Sequence, residues 1–114
     1  MRFFFKTHNK KERWPIKLWI DDVRPAPEGY IWCTSVYDAI ALITEYEKRV
    51  DPFELIDLDH DAGIYSSFGG DYIDILYWLE ETGRNYPIRI HSMNPVGVMN
   101  MRRIIKRNGW KEIV

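Results

Sequence analysis

The chain has 114 residues, a net charge of −1, 46% hydrophobic and 15% aromatic residues. That length sets one domain, able to bury roughly 65% of its unfolded surface in a true core. The composition excludes a disordered chain, the charge balance gives no bulk attraction to nucleic acid or membranes, and no apolar stretch spans a bilayer.

The charge is unevenly placed. Residues 1–14 carry Arg2, Lys6, Lys10, Lys11 and Arg13 against Glu12, a net +4 that leaves −5 on the rest. They read as a basic, aromatic N-terminal extension on a domain spanning 15–114. Such an arm can touch RNA or another polyanion, although a solvated terminus is the commoner case. Phe3 to Phe5 could add an edge strand or pair with another subunit. No secretory signal is evident, and Cys33 is the single cysteine, so no internal disulfide forms. Both fit a reducing cytoplasm, the expected location.

Residues 15–20 read as a buried strand and 24–29 as a turn-rich loop. Tyr30 to Cys33 is a second short strand. Thr34 or Ser35 caps a helix running to about Arg49, with Val36, Ala39, Ile40, Ile43 and Tyr46 on one face. Asp51-Pro52 breaks it, and 53–58 form a third strand. Residues 61–70 read as a mobile loop. Asp71 is the expected cap of a second helix carrying Ile73, Leu76 and Leu79, closed by Thr82-Gly83. A fourth strand covers 87–91. Asn94, with Pro95 after it, caps a last helix whose apolar residues are Met99, Met101, Ile104 and Ile105. Residues 110–114 are a possible fifth strand.

Helical crossovers between successive strands imply a mostly parallel sheet of about five strands, with helices on both faces. Only nine residues separate the first two strands, too few for a helical crossover. Either that connection is extended or the second strand is antiparallel.

Three apolar runs end in polar clusters: Asp21-Asp22, Asp57-Leu58-Asp59-His60-Asp61 and His91-Ser92-Met93-Asn94. If the runs are parallel strands, all three emerge at the carboxyl edge, where open α/β sheets bind ligands. Two carboxylates ~5 Å apart repel by about 3 kcal/mol at an effective dielectric near 20. Asp21, Asp22, Asp59 and Asp61 together therefore ask for protons or a cation. Oxygen ligands suit Mg²⁺ or Mn²⁺, and a nitrogen from His60 would favour Mn²⁺. The helix start at Asn94 is a natural phosphate seat. Ser92 and Arg24 can bind phosphoryl oxygens, and His91 can act as acid or base. Each residue also has a structural reading: turn residues for Asp21 and Asp22, a solvent-facing or capping carboxylate for Asp57, packing for the histidines.

The motifs Leu-Trp-Ile-Asp-Asp-Val-Arg-Pro (18–25), Leu-Asp-His-Asp-Ala-Gly (58–63) and Ile-His-Ser-Met-Asn-Pro-Val-Gly (90–97) resemble the cyclic-phosphate-processing receiver-like proteins. These are relatives of response-regulator receiver domains. The resemblance spans about Ile16 to Trp110 and implies a single receiver-like, flavodoxin-like three-layer domain without the usual first and last helices. It implies that Asp21 and Asp22 hold Mg²⁺, that Asp59 corresponds to the phosphoacceptor, with Asp57 the other candidate, and that Ser92 contacts the phosphoryl group. The Lys-Pro of ordinary receivers is missing. Lys111 stands near the start of the fifth strand instead, which counts against a phosphorelay switch.

The leading expectation is a metal-dependent phosphoesterase acting on a cyclic phosphate, on a small molecule or an RNA end. Asp59, His60, His91 and Ser92 form its catalytic set, and Arg24, Ser92 and Asn94 bind phosphate. Asp21, Asp22, Asp59 and Asp61 hold the metal, and Tyr65 or Phe68 closes over a nucleoside. The alternatives are a non-catalytic module that binds or sequesters a cyclic nucleotide or phosphorylated metabolite, and a degenerate receiver.

Overall fold

A computed structural model describes residues 16–49 and 53–114; the expectations for residues 1–14 and for Asp51-Pro52 lie outside it. Four parallel strands, β1 (Lys17–Ile20), β2 (Tyr30–Cys33), β3 (Leu55–Leu58) and β4 (Ile88–Ile90), lie in the order β2-β1-β3-β4. Three helices connect or follow them: α1 (Val36–Arg49), α2 (Ile73–Glu81) and α3 (Pro95–Asn108). The fold is α/β and receiver-like. The expected fifth strand shrinks to one parallel bridge, Glu112 beside Ile88.

The short link between β1 and β2 is extended, and β2 is parallel. Tyr30 to Cys33 pair in register with Lys17 to Ile20. This link explains the layering. From β2 to β3 to β4 to Glu112 the chain moves one way across the sheet. Right-handed crossovers therefore put α1, α2 and α3 on one face. Only the step from β1 to β2 runs the other way, and it carries no helix. One core accordingly joins Leu18, Ile20, Cys33, Ile56, Leu58 and Ile88 to Ala39, Ile43, Ile75, Leu79, Met101 and Ile104. Alternate strand residues point to the opposite face. There Trp19 stands between Trp32 and Asp57, and Arg89 lies beside Asp57. Among the described residues the helical layer lies on the first face alone.

Local signals place the helix ends. Ser35 Oγ accepts the Asp38 N–H, and Asn94 Oδ1 accepts the Gly97 N–H, so both cap as expected. Gly109, at φ 69°, ends α3 in the left-handed conformation. Asp71 does not cap α2. Its carboxylate instead accepts the Ala62 N–H and ties down the preceding loop. That loop is not irregular: Gly63–Ser67 form a 3-10 turn, and the Tyr37 N–H donates to the Phe68 carbonyl, joining the loop to α1. Met99 is exposed, and Gly97 takes a buried place on α3 beside Met101, Ile104 and Ile105. Cys33 is buried, and burial first, then the Asp38 charge, pushes its thiol up to about 12, so it behaves as a small hydrophobe.

Candidate metal and phosphate site

The carboxyl ends of β1 and β3 are adjacent because the two strands pair from Lys17↔Leu55 to Ile20↔Leu58. The next residues, Asp21-Asp22 and Asp59, therefore meet. Asp21, Asp22 and Asp59 can each offer a carboxylate oxygen to a common point, all within 4.8 Å of one another. Burial, then the Asp21 and Asp59 charges, raise the Asp22 carboxyl above its ordinary value. Among the described residues no ion pair reaches Asp22. Gly63, at φ 57°, backs directly onto it, and a Cβ there would stand 2.4 Å from Asp22 Oδ2. Three carboxylates drawn together, with a glycine backing closely onto one of them, fit a hard divalent cation.

Asp21 is the most heavily engaged of the three. Its Oδ1 accepts the N–H groups of Val23 and Arg24, while Oδ2 meets His91 Nε2 at 2.9 Å and Arg24 Nε at 3.1 Å. Burial raises its pKa, but these donors outweigh burial and leave it lowered. Asp59 accepts its neighbour's N–H at His60 and a hydrogen bond from the Arg24 guanidinium at 3.1 Å.

Asp61 stands apart from the trio. It is exposed, pairs with His60 Nδ1 at 2.9 Å, and lies 3.5 Å from the Asn94 amide nitrogen. The His60 ring packs on the first turn of α3, where a Cβ at position 97 would come within 2.5 Å of it. Ser92 Oγ accepts the Asn94 N–H, which sets the turn into α3. Tyr65 packs on the core, whereas Phe68 is exposed.

His91 is placed differently from a free acid or base. Nδ1 lies 2.7 Å from Asp57 Oδ1 and Nε2 lies 2.9 Å from Asp21 Oδ2. Both ring nitrogens are thus engaged by carboxylate oxygens. Asp57 is fully buried and also accepts from Arg89 at 3.0 Å and Tyr30 at 3.4 Å. It does not face solvent. Trp19, Tyr30, Asp57 and Arg89 thus join the site's surroundings, a role the motif reading missed. Strand parity was the available signal: Trp19, Asp57 and Arg89 share the face that carries no aliphatic run.

Comparison with known families decides the relationship. The model of the cyclic-phosphate processing receiver domain matches residues 16–107. The chain belongs to that family. The matched span takes in every residue of the acidic trio, both histidines of the site, and the cap of α3. A comparison with curated proteins gives no match, and one with solved structures gives none either. The family description concerns cyclic phosphates, and no described helix is long and apolar enough to cross a membrane.

Proposed function

We propose that this family member is a divalent-metal-dependent phosphoesterase that opens a cyclic phosphate derived from a nucleotide or an RNA end. The observation that carries this reading is the convergence of Asp21, Asp22 and Asp59 within 4.8 Å at the carboxyl edge of the sheet. Mg²⁺ or Mn²⁺ held there would supply Lewis acidity toward phosphoryl oxygens and a water of lowered pKa.

The chain's own groups supply the rest. Either that water would attack phosphorus, or Asp59 would attack, expelling the ring oxygen to form an acyl phosphodiester that the water then hydrolyses. Asp57 is not a candidate, because Arg89, His91 and Tyr30 already engage it inside the sheet. Arg24, the Ser92 hydroxyl and the start of α3 at Asn94 are the groups to neutralise charge on the phosphate. His60 is the better proton donor to the leaving oxygen. Asp61 holds its Nδ1, and among the described residues no hydrogen bond engages Nε2. His91, held at both nitrogens, has no such freedom. The relay reading is disfavoured by Lys111, whose carbonyl bonds Ile88 at the start of β4, the end of the sheet opposite the carboxylates.

The test is ³¹P NMR of the protein with a panel of cyclic nucleotides and a 2′,3′-cyclic RNA end, with and without Mg²⁺ or Mn²⁺. Conversion of a cyclic resonance to a monoester only with metal supports the enzyme. Shifted or broadened resonances without conversion favour a binding module instead.

A further inference from the structure

The Arg24 guanidinium bridges Asp21 and Asp59, two of the three carboxylates that could hold a cation. It lies 3.1 Å from Asp21 Oδ2 through Nε and 3.1 Å from Asp59 Oδ2 through a terminal nitrogen. A carboxylate offers about four lone-pair directions. Asp21 already has four nitrogen neighbours: the N–H groups of Val23 and Arg24 on Oδ1, and His91 Nε2 and Arg24 Nε on Oδ2. Three of these are hydrogen bonds and the Arg24 Nε contact is an ion pair, so a metal ion shared by Asp21 and Asp59 competes with the guanidinium for the same oxygens.

The structure distinguishes the four. The two backbone N–H groups are fixed by the turn. His91 is held from the other side by Asp57 at 2.7 Å, lies flat on Trp19, and has a side chain only 9% exposed. Arg24 has a side chain 47% exposed on a flexible stem. Its backbone stays anchored either way, because its N–H donates to Asp21 Oδ1 and its carbonyl accepts the Trp19 indole N–H at 2.8 Å.

We propose that Arg24 is a tethered counter-ion of the acidic site, displaced by the divalent cation and thereby freed to take the phosphate of the ligand. Cation and phosphate then bind in that order, because the arginine cannot serve the carboxylates and the phosphate together. This inference rests on the reading of Asp21, Asp22 and Asp59 as cation ligands.

The experiment is a Mg²⁺ titration of the whole chain and of its Arg24→Lys variant, followed by calorimetry and by the ¹H–¹⁵N resonance of Arg24 Nε. Lysine keeps the charge but cannot bridge both carboxylates. Displacement therefore makes the variant bind Mg²⁺ about tenfold more tightly than the natural chain. In the natural chain the Nε–H signal shifts with Mg²⁺ and exchanges faster with water. A signal that stays put at saturating Mg²⁺, or a variant no tighter than the natural chain, overturns the displacement and leaves the cation site standing. Absence of Mg²⁺ binding in both proteins overturns the cation site, and this inference with it.

Discussion

The imidazole of His91 lies flat on the indole of Trp19, with ring centroids 3.8 Å apart and planes 4° apart. Stacking fixes the ring's plane, and Asp57 and Asp21 fix its rotation within that plane. His91 thus acts as an internal strut between two buried carboxylates.

Removing that strut should first be felt as lost stability. His91→Ala leaves Asp21 and Asp57 without their shared partner, and breaking a buried charged network costs about 3–5 kcal/mol. His91→Gln, which can keep one hydrogen bond, should lose less. Denaturant unfolding of both variants checks the order. A His91→Gln protein of natural stability but no activity would return His91 to the role of acid or base.

Asp59→Asn should abolish turnover and weaken Mg²⁺ binding while leaving the fold intact. Asparagine fills the same volume and can still accept the His60 N–H through its amide oxygen. Circular dichroism, calorimetry and the ³¹P assay on one preparation make the comparison. Retained turnover would remove Asp59 from the nucleophile's place.

Gly97→Ala separates helix propensity from the site. Alanine favours a helix by about 1 kcal/mol over glycine, yet here its Cβ would come within 2.5 Å of the His60 ring. We expect His60 to be pushed aside, with turnover falling at least about tenfold and the melting temperature changed little. Unchanged turnover would count against His60 as proton donor.

The pH dependence of cation binding should follow Asp22. Its carboxyl is raised by burial and by the Asp21 and Asp59 charges. A raised acid opposes the metal-free fold when ionised, and that opposition disappears as pH falls through its folded pKa. Mg²⁺ stabilisation should therefore be full near neutrality and begin to fade at a pH above the ordinary aspartate value of 3.8. Asp21 has the opposite sign: its lowered carboxyl adds stability above the ordinary value, lost as pH drops through its folded pKa. Melting curves across pH, with and without Mg²⁺, resolve the two.

Much of this is legible in the sequence, because it depends on local signals. Polar clusters after three apolar runs located the acidic trio, and Ser35, Asn94 and Gly109 marked helix ends by their chemistry. Other features depend on what comes near in space. Asp71 has the sequence of a cap, but the Ala62 N–H reaches it from the preceding loop. Asp61 sits two residues after Asp59 yet turns to His60. His91 has the position of a proton donor, and only the strand pairing shows that Asp57 and Asp21 hold it on two sides. Asp57 resists a motif reading for the same reason, since its partners come from β2, β4 and the residue after β4.

The sheet face that carries Trp19, Asp57 and Arg89 also governs how the strands can align. Leu58 follows Asp57 in the chain and sits in the apolar core on the opposite face. A one-residue slip of β3 would drive the Asp57 carboxylate among Ile20, Ile88 and the α2 leucines, and would strand Arg89 without its partner. Misaligned pairings are thereby rejected during folding, and the group that braces the site also holds the central strands in their single correct alignment.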